Sequence, residues 1–226
     1  MSKFKPGFIL CDLDGTLIDS VPDLAYCGDE MMKALGLPPR GQEASRHWVG
    51  NGVERFCERT LINSVDGHAD AALLAKALPI FKELYLHNNA QRSCVYEGVT
   101  EGLTWLLDQG YRLACVTNKA EAFTMPLLRD KGLLDYFEFV VSGDTCAEKK
   151  PSPMPLLYAA EKMGVSPENA LMIGDSISDV KAARAAHFHI ICMSYGYNHG
   201  KDIREANPDV VIDSMVEFSN HIESLK

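Results

Sequence analysis

From Phe8 onward the chain alternates short apolar runs with amphipathic stretches of helical period, and this rhythm breaks once, between about residues 20 and 93. Apolar runs at 8–11, 112–117, 137–142, 170–174, 190–193 and 210–212 predict strands. The stretches 99–109, 120–131, 153–163 and 177–186, with another from Ser214, predict the helices between them. Strands apolar on both faces and joined by helices can bury themselves only in a parallel sheet covered on both sides. The expected fold is therefore α/β, a doubly wound parallel sheet, with ligands in the crevice at the strand carboxyl ends. The interruption reads as helices at 21–35, 53–62 and 69–86, the last bent or divided at Pro79. It is expected to form an inserted helical cap domain over 20–93, leaving 1–19 and 94–226 as the core.

A chain of 226 residues, 46% apolar, is long enough to bury both parts. Its net charge of −9 argues against nucleic acid and anionic membranes as partners, so any phosphate ligand must be held by local charge. Seven cysteines without a C-x-x-C pair point to reduced thiols rather than zinc or disulfides. The opening apolar run is too short for a leader or a membrane span. A cytoplasmic protein is expected, and with no heptad seam in the pattern a monomer and a homodimer are equally compatible.

The unusual polar residues recur at predicted strand ends. Asp12 and Asp14 follow the first strand, and two carboxylates so close repel unless a cation or a hydrogen-bond network compensates them. Gly15-Thr16 adds a tight turn with exposed N–H groups and a hydroxyl, parts suited to a phosphate. Thr117-Asn118 ends another strand and offers further phosphate donors, although a helix cap would explain it equally well. Lys149-Lys150 precedes Pro151, where an ammonium can neutralise a phosphate or an aspartate. Asp175 closes the strand at 170–174, and Asp179 lies one helical turn on. An oxygen-only acidic set of this kind suits Mg²⁺, which keeps several waters and shares its site with phosphate.

In this order and spacing the segments resemble the haloacid dehalogenase superfamily of phosphohydrolases. The superfamily pattern D-x-D-G-T-L-x-D-S is matched from Asp12 to Ser20, the strand-end Thr by Thr117, the Lys before Pro by Lys150, and G-D-S-x-x-D by Gly174 to Asp179. Pro22-Asp23-Leu24, Trp48-Val49-Gly50-Asn51-Gly52, Tyr195-Gly196-Tyr197-Asn198 and the run from Pro208 to Asp213 resemble its phosphoglycolate phosphatase branch. Two departures, Ala186-His187 where relatives often carry Gly and Glu97-Gly98 where Pro-Gly is usual, lie outside the catalytic positions.

The resemblance implies a phosphomonoester hydrolase acting on a small phosphorylated metabolite, 2-phosphoglycolate above others. Asp12 would be the nucleophile and Asp14 the acid and then the base. Mg²⁺ would be held by Asp12, the Asp14 backbone carbonyl and Asp175, with Asp179 supporting them from behind. Lys150, Thr117, Asn118, Gly15 and Thr16 would bind phosphoryl oxygens. Arg46 and Gly50, on the cap loop, would meet the leaving group, with Arg55 and Gly52 as further candidates. Histidines are expected to be structural. A broader sugar-phosphate or pyrophosphate phosphatase and a β-phosphoglucomutase-type transferase share these core residues. A dehalogenase proper would lack Asp14 and the metal, and a phosphorylated signalling module would lack the insert.

Overall fold

The computed structural model describes residues 5–222. The segment read as free of a leader begins in the four residues before these and is to that extent outside them. The main sheet has six parallel strands in the order β5-β4-β1-β6-β7-β8. They are β1 (Phe8–Cys11), β4 (Leu113–Val116), β5 (Val140–Val141), β6 (Ala170–Gly174), β7 (His189–Met193) and β8 (Val210–Ile212). β1 pairs with β4 on one side and β6 on the other, with Cys11 opposite both Cys115 and Ile173. The crevice where strand order reverses therefore opens at the carboxyl end of β1. The strand predicted over 137–142 is only two residues long, because the chain approaches through a 3₁₀ turn at Leu134–Tyr136.

Helices α5 (Val99–Asp108), α6 (Glu121–Asp130), α7 (Met154–Met163) and α8 (Ile177–Ala186) join these strands. Two apolar clusters, one on each face, fill the space between helices and sheet: Ile9, Leu103, Leu127 and Ile173 belong to one, Phe8, Leu156, Met172 and Val180 to the other. β1, β4, β6 and most of β7 are buried on both faces, which is why they read as unbroken apolar runs. α8 ends with His187 in the left-handed conformation, φ 62°, the position where glycine is usual. At the C-terminus the helix expected from Ser214 is a 3₁₀ turn at Met215–Glu217 followed by α9 (Phe218–His221).

The interrupting segment holds α1 (Val21–Ala34), α2 (Gln42–Arg46), α3 (Val53–Ile62) and α4 (Ala71–Asn88). α4 starts on Asp70, whose carboxylate accepts from the Leu73 N–H, and runs through Pro79 without dividing. These helices share their own apolar cluster around Met31, Trp48, Phe56 and Phe81, which also takes in Phe123 and Tyr197 from outside the segment. The chain leaves and re-enters the main sheet through a small antiparallel ribbon, β2 (Ile18–Asp19) with β3 (Cys94–Val95). Buried Asp23 fastens the two crossings together by accepting from the N–H groups of Arg92 and Ser93 and from the Ser93 hydroxyl.

Candidate active site

Asp12 emerges from β1 with its N–H still donating to Ile173 O, so the carboxylate stands at the switch point of the sheet. Asp175 follows the last residue of the adjacent β6, its N–H turned onto the Asp179 carboxylate. Oxygens of Asp12, Asp175 and Asp179, all buried, lie within 4.8 Å of one another. Asp175 accepts from the Thr16 hydroxyl at 2.6 Å and from the Tyr197 N–H at 2.6 Å. A Cβ on Gly15, which has φ +92°, would fall 2.3 Å from an Asp175 oxygen, and one on Gly196 would fall 2.1 Å from Asp175 Cβ. The two glycines thus leave room for that carboxylate to sit against the backbone.

Lys150 reaches the same cluster. Its Nζ donates to Val116 O at 2.8 Å and to Asp179 at 2.7 Å, and lies 2.9 Å from Asp12 Oδ1. Burial opposes the Lys150 charge, but Asp12 and Asp179 more than reverse this and hold the ammonium above its ordinary range. One ammonium cannot balance three carboxylates. Asp12 Oδ1 has no aligned hydrogen-bond donor despite its burial. Burial pushes the Asp12 pKa up to about 7, with Lys150 opposing and Asp179 adding to the rise. Asp175 is raised well above the usual carboxylate range by burial, Asp179 and Asp12. Two carboxylate charges beyond the one that a single ammonium balances, and a donor set made of oxygens, fit a hard divalent cation.

Asp179 has no oxygen to spare for a cation. Beyond Lys150 it accepts from the Asp175 and Ser176 N–H groups and the Ser176 hydroxyl, closing a capping box at the start of α8. Thr117 continues β4, its N–H bonded to Val141 O and its hydroxyl oxygen accepting from the Lys119 N–H at 3.2 Å, which leaves the hydroxyl proton available.

Asp12, Asp14, Thr117 and Lys119 floor a cleft on its main-sheet side. Leu24, Val49, Val53 and Phe56 form the apolar wall opposite. Gly50 and Gly52 line the cleft, Gly50 accepting from Asn118 through its carbonyl.

Two expected substrate contacts are engaged elsewhere. Arg46, at the end of α2, turns onto Asp19 at 3.1 Å and over the Tyr197 ring, outside the residues that line the cleft. A carboxylate at the ribbon and a tyrosine face satisfy its guanidinium where it stands. Asn118 lines the cleft, yet its amide group is spent on backbone: Nδ2 donates to Gly50 O and Lys150 O, and Oδ1 accepts from the Lys150 N–H. Its side chain ties three loops together. Arg55 is held by Glu58 and by the carbonyls of Val65 and Gly67.

Lys119 escaped the sequence reading. Its side chain is 3% exposed, and Nζ lies 2.9 Å and 3.0 Å from the two Asp14 oxygens and 2.7 Å from the Tyr85 hydroxyl of α4. Burial disfavours its charge, and Asp14 with Tyr85 restores it, so the ammonium is held above its ordinary range. Its place directly after the strand-end pair Thr117-Asn118 is the signal that could have found it.

The family model for haloacid dehalogenase-like hydrolases matches residues 9–193. The chain is 60% identical over 216 residues to a phosphoglycolate phosphatase of Nitrosococcus oceani, covering 96% of each chain. It is 46% identical to a phosphoglycolate phosphatase of Nitrosospira multiformis over 95% of each. Among solved structures, one described as a predicted phosphoglycolate phosphatase from Haemophilus somnus superposes with a TM-score of 0.89 at 32% identity, covering 97% of this chain and 98% of that one.

Proposed function

This chain belongs to the haloacid dehalogenase-like hydrolase family, and from that premise we propose that it hydrolyses 2-phosphoglycolate to glycolate and phosphate through a phosphoaspartyl intermediate on Asp12. It is a phosphatase of small phosphorylated substrates. The observation that carries the finer reading is the pairing of Asp12 with Asp14 at the end of β1, one carboxylate beside a cation-deficient cluster and the other facing the cleft.

In the first half-reaction an Asp12 oxygen attacks phosphorus, the bond to the leaving oxygen breaks, and Asp14 gives that oxygen its proton. In the second, Asp14 takes a proton from water, the hydroxide attacks the phosphoaspartyl phosphorus, and phosphate departs with Asp12 restored. Lys150 holds Asp12 and Asp179 in register, and the Thr117 hydroxyl donates to an equatorial oxygen as charge builds. Asp12, the Asp14 backbone carbonyl and Asp175 would hold Mg²⁺, which supplies charge neutralisation for an anionic nucleophile meeting an anionic ester. Asp179 supports that set through the Asp175 and Ser176 N–H groups. The apolar wall on the far side of the cleft keeps water from the phosphoaspartate until the alcohol has left.

Phosphate release from 2-phosphoglycolate, several sugar phosphates and pyrophosphate, each with and without Mg²⁺, tests the reading. It predicts that 2-phosphoglycolate leads in kcat/KM by roughly 100-fold or more, a discrimination within reach of one desolvated charge contact. A sugar phosphate or pyrophosphate in first place would overturn the substrate assignment while leaving the family chemistry intact.

A further inference from the structure

We propose that Lys119 is the specificity-determining residue of this phosphatase, its ammonium receiving the carboxylate of the leaving alcohol. The proposal rests on the phosphoglycolate reading above and adds to it the residue that reads the acid.

Within the cleft, two ends carry different chemistry. The phosphoryl end is set by Asp12 and Thr117, with Lys150 anchored against Asp12 outside the lining. The opposing wall of Leu24, Val49, Val53 and Phe56 offers no charge or donor from its side chains. An anionic leaving group moved into such a space needs a counter-charge, since an unpaired carboxylate there would lose its hydration without replacement. Among the described residues lining the cleft, Lys119 carries the one cationic side chain.

Its position matches the geometry of an α-hydroxy acid phosphate. The leaving oxygen must come within hydrogen-bond reach of Asp14, and Lys119 Nζ lies 2.9 Å and 3.0 Å from the Asp14 oxygens. In 2-phosphoglycolate the carboxylate carbon is two bonds from that oxygen, so a carboxylate oxygen arrives beside the ammonium when the leaving oxygen arrives beside Asp14. The three N–H bonds of Lys119 meet both Asp14 oxygens and the Tyr85 hydroxyl, and a substrate carboxylate takes the place of one Asp14 oxygen, since a single oxygen of Asp14 is enough to keep the pair joined. Tyr85, fully buried on α4, accepts from the ammonium at 2.7 Å and helps hold it in place beside Asp14. Lys149 is the rival cation: it is exposed, and a Cβ on Gly52 would lie 3.1 Å from its Nζ, which places it at the rim.

The test compares 2-phosphoglycolate with 2-hydroxyethyl phosphate, in which an uncharged hydroxymethyl replaces the carboxylate. The wild-type enzyme prefers the acid, and Lys119→Met lowers the ratio of the two kcat/KM values by roughly 10- to 100-fold, the scale of one lost charged hydrogen bond. Lys149→Ala leaves the ratio within about twofold, as expected for a screened surface charge. A second measurement is independent of turnover: calorimetric binding to Asp12→Asn/Asp14→Asn protein, where the Asp14 charge can no longer repel the ester. There Lys119→Met weakens 2-phosphoglycolate by a similar factor and leaves 2-hydroxyethyl phosphate unchanged; Lys119→Gln replaces it if the methionine variant fails to fold. A ratio that survives Lys119→Met, or that collapses with Lys149→Ala instead, overturns the assignment to Lys119 alone. Wild-type enzyme with no preference between the two esters overturns the phosphoglycolate reading and this proposal with it.

Discussion

Asp12 carries a buried oxygen without an aligned donor, and Asp175 beside it is secured by a hydroxyl, an N–H and two glycines. Asp12→Asn, which keeps the size and removes the nucleophile, is expected to lower kcat/KM by roughly 10⁴-fold or more, as loss of an attacking group does. Thr16→Val deletes the hydroxyl that orients Asp175, and groups that orient a metal ligand are worth about 10- to 100-fold in affinity. The Mg²⁺ concentration giving half-maximal activity should rise by about that factor, with kcat at saturating Mg²⁺ changed far less. Titration of activity with Mg²⁺ reads both quantities. At this scale the sequence was legible where backbone position alone decides: Asp12, Thr117 and Asp175 stand at strand ends whatever their side chains touch, and Lys150 sits in the loop before α7. The contacts of Arg46 and Asn118 are not legible locally, because the direction of a long or amide side chain follows from tertiary partners, Asp19 with Tyr197 for one and Gly50 with Lys150 for the other. Lys119 is marked locally only by its place after Thr117-Asn118, and the partners that hold it, Asp14 and Tyr85, are remote in sequence.

The helix α8 both presents Asp179 and ends under strain. Its capping box is satisfied, whereas His187 occupies a left-handed position that costs an L residue about 1–2 kcal/mol. His187→Gly is expected to stabilise the protein by about 0.5–1 kcal/mol after the entropy of glycine in the unfolded chain is set against that cost. Urea denaturation measures it. The ribbon β2/β3 shows the opposite economy, with two residues in each strand and one buried carboxylate, Asp23, serving three donors from Arg92 and Ser93. Asp23→Ala strands the two N–H groups and should destabilise the fold by about 2–4 kcal/mol in the same assay. Strands this short escape any periodicity argument, so the ribbon was not read from sequence. β1, β4, β6 and β7 were, because burial on both faces makes each a continuous apolar run.

Taken as a whole, the molecule stores an electrostatic debt at the carboxyl edge of its sheet. The Asp12 pKa is raised from 3.8 to about 7, so between those values the folded chain binds a proton that the unfolded chain releases. The contribution of Asp12 to stability is present below the lower value and is lost as pH rises through about 7, and Asp175 acts in the same direction. Metal-free protein should therefore lose more Tm between about pH 5 and pH 8 than the Asp12→Asn variant does. Added Mg²⁺ should raise Tm more at the higher pH, where the ligands are ionised. No helix among the described residues is long and apolar enough to cross a membrane. Six parallel strands place these charges at one crevice, and the helical segment covers it with an apolar wall. The central claim is that this arrangement passes a phosphoryl group through Asp12. Rapid acid quench of Asp14→Asn protein reacting with p-nitrophenyl phosphate, whose leaving group needs no acid, tests it most directly. Mass mapping is predicted to find close to one phosphate per chain on the peptide containing Asp12, persisting because water is no longer activated. Turnover that continues with no phosphate on that peptide would contradict the account.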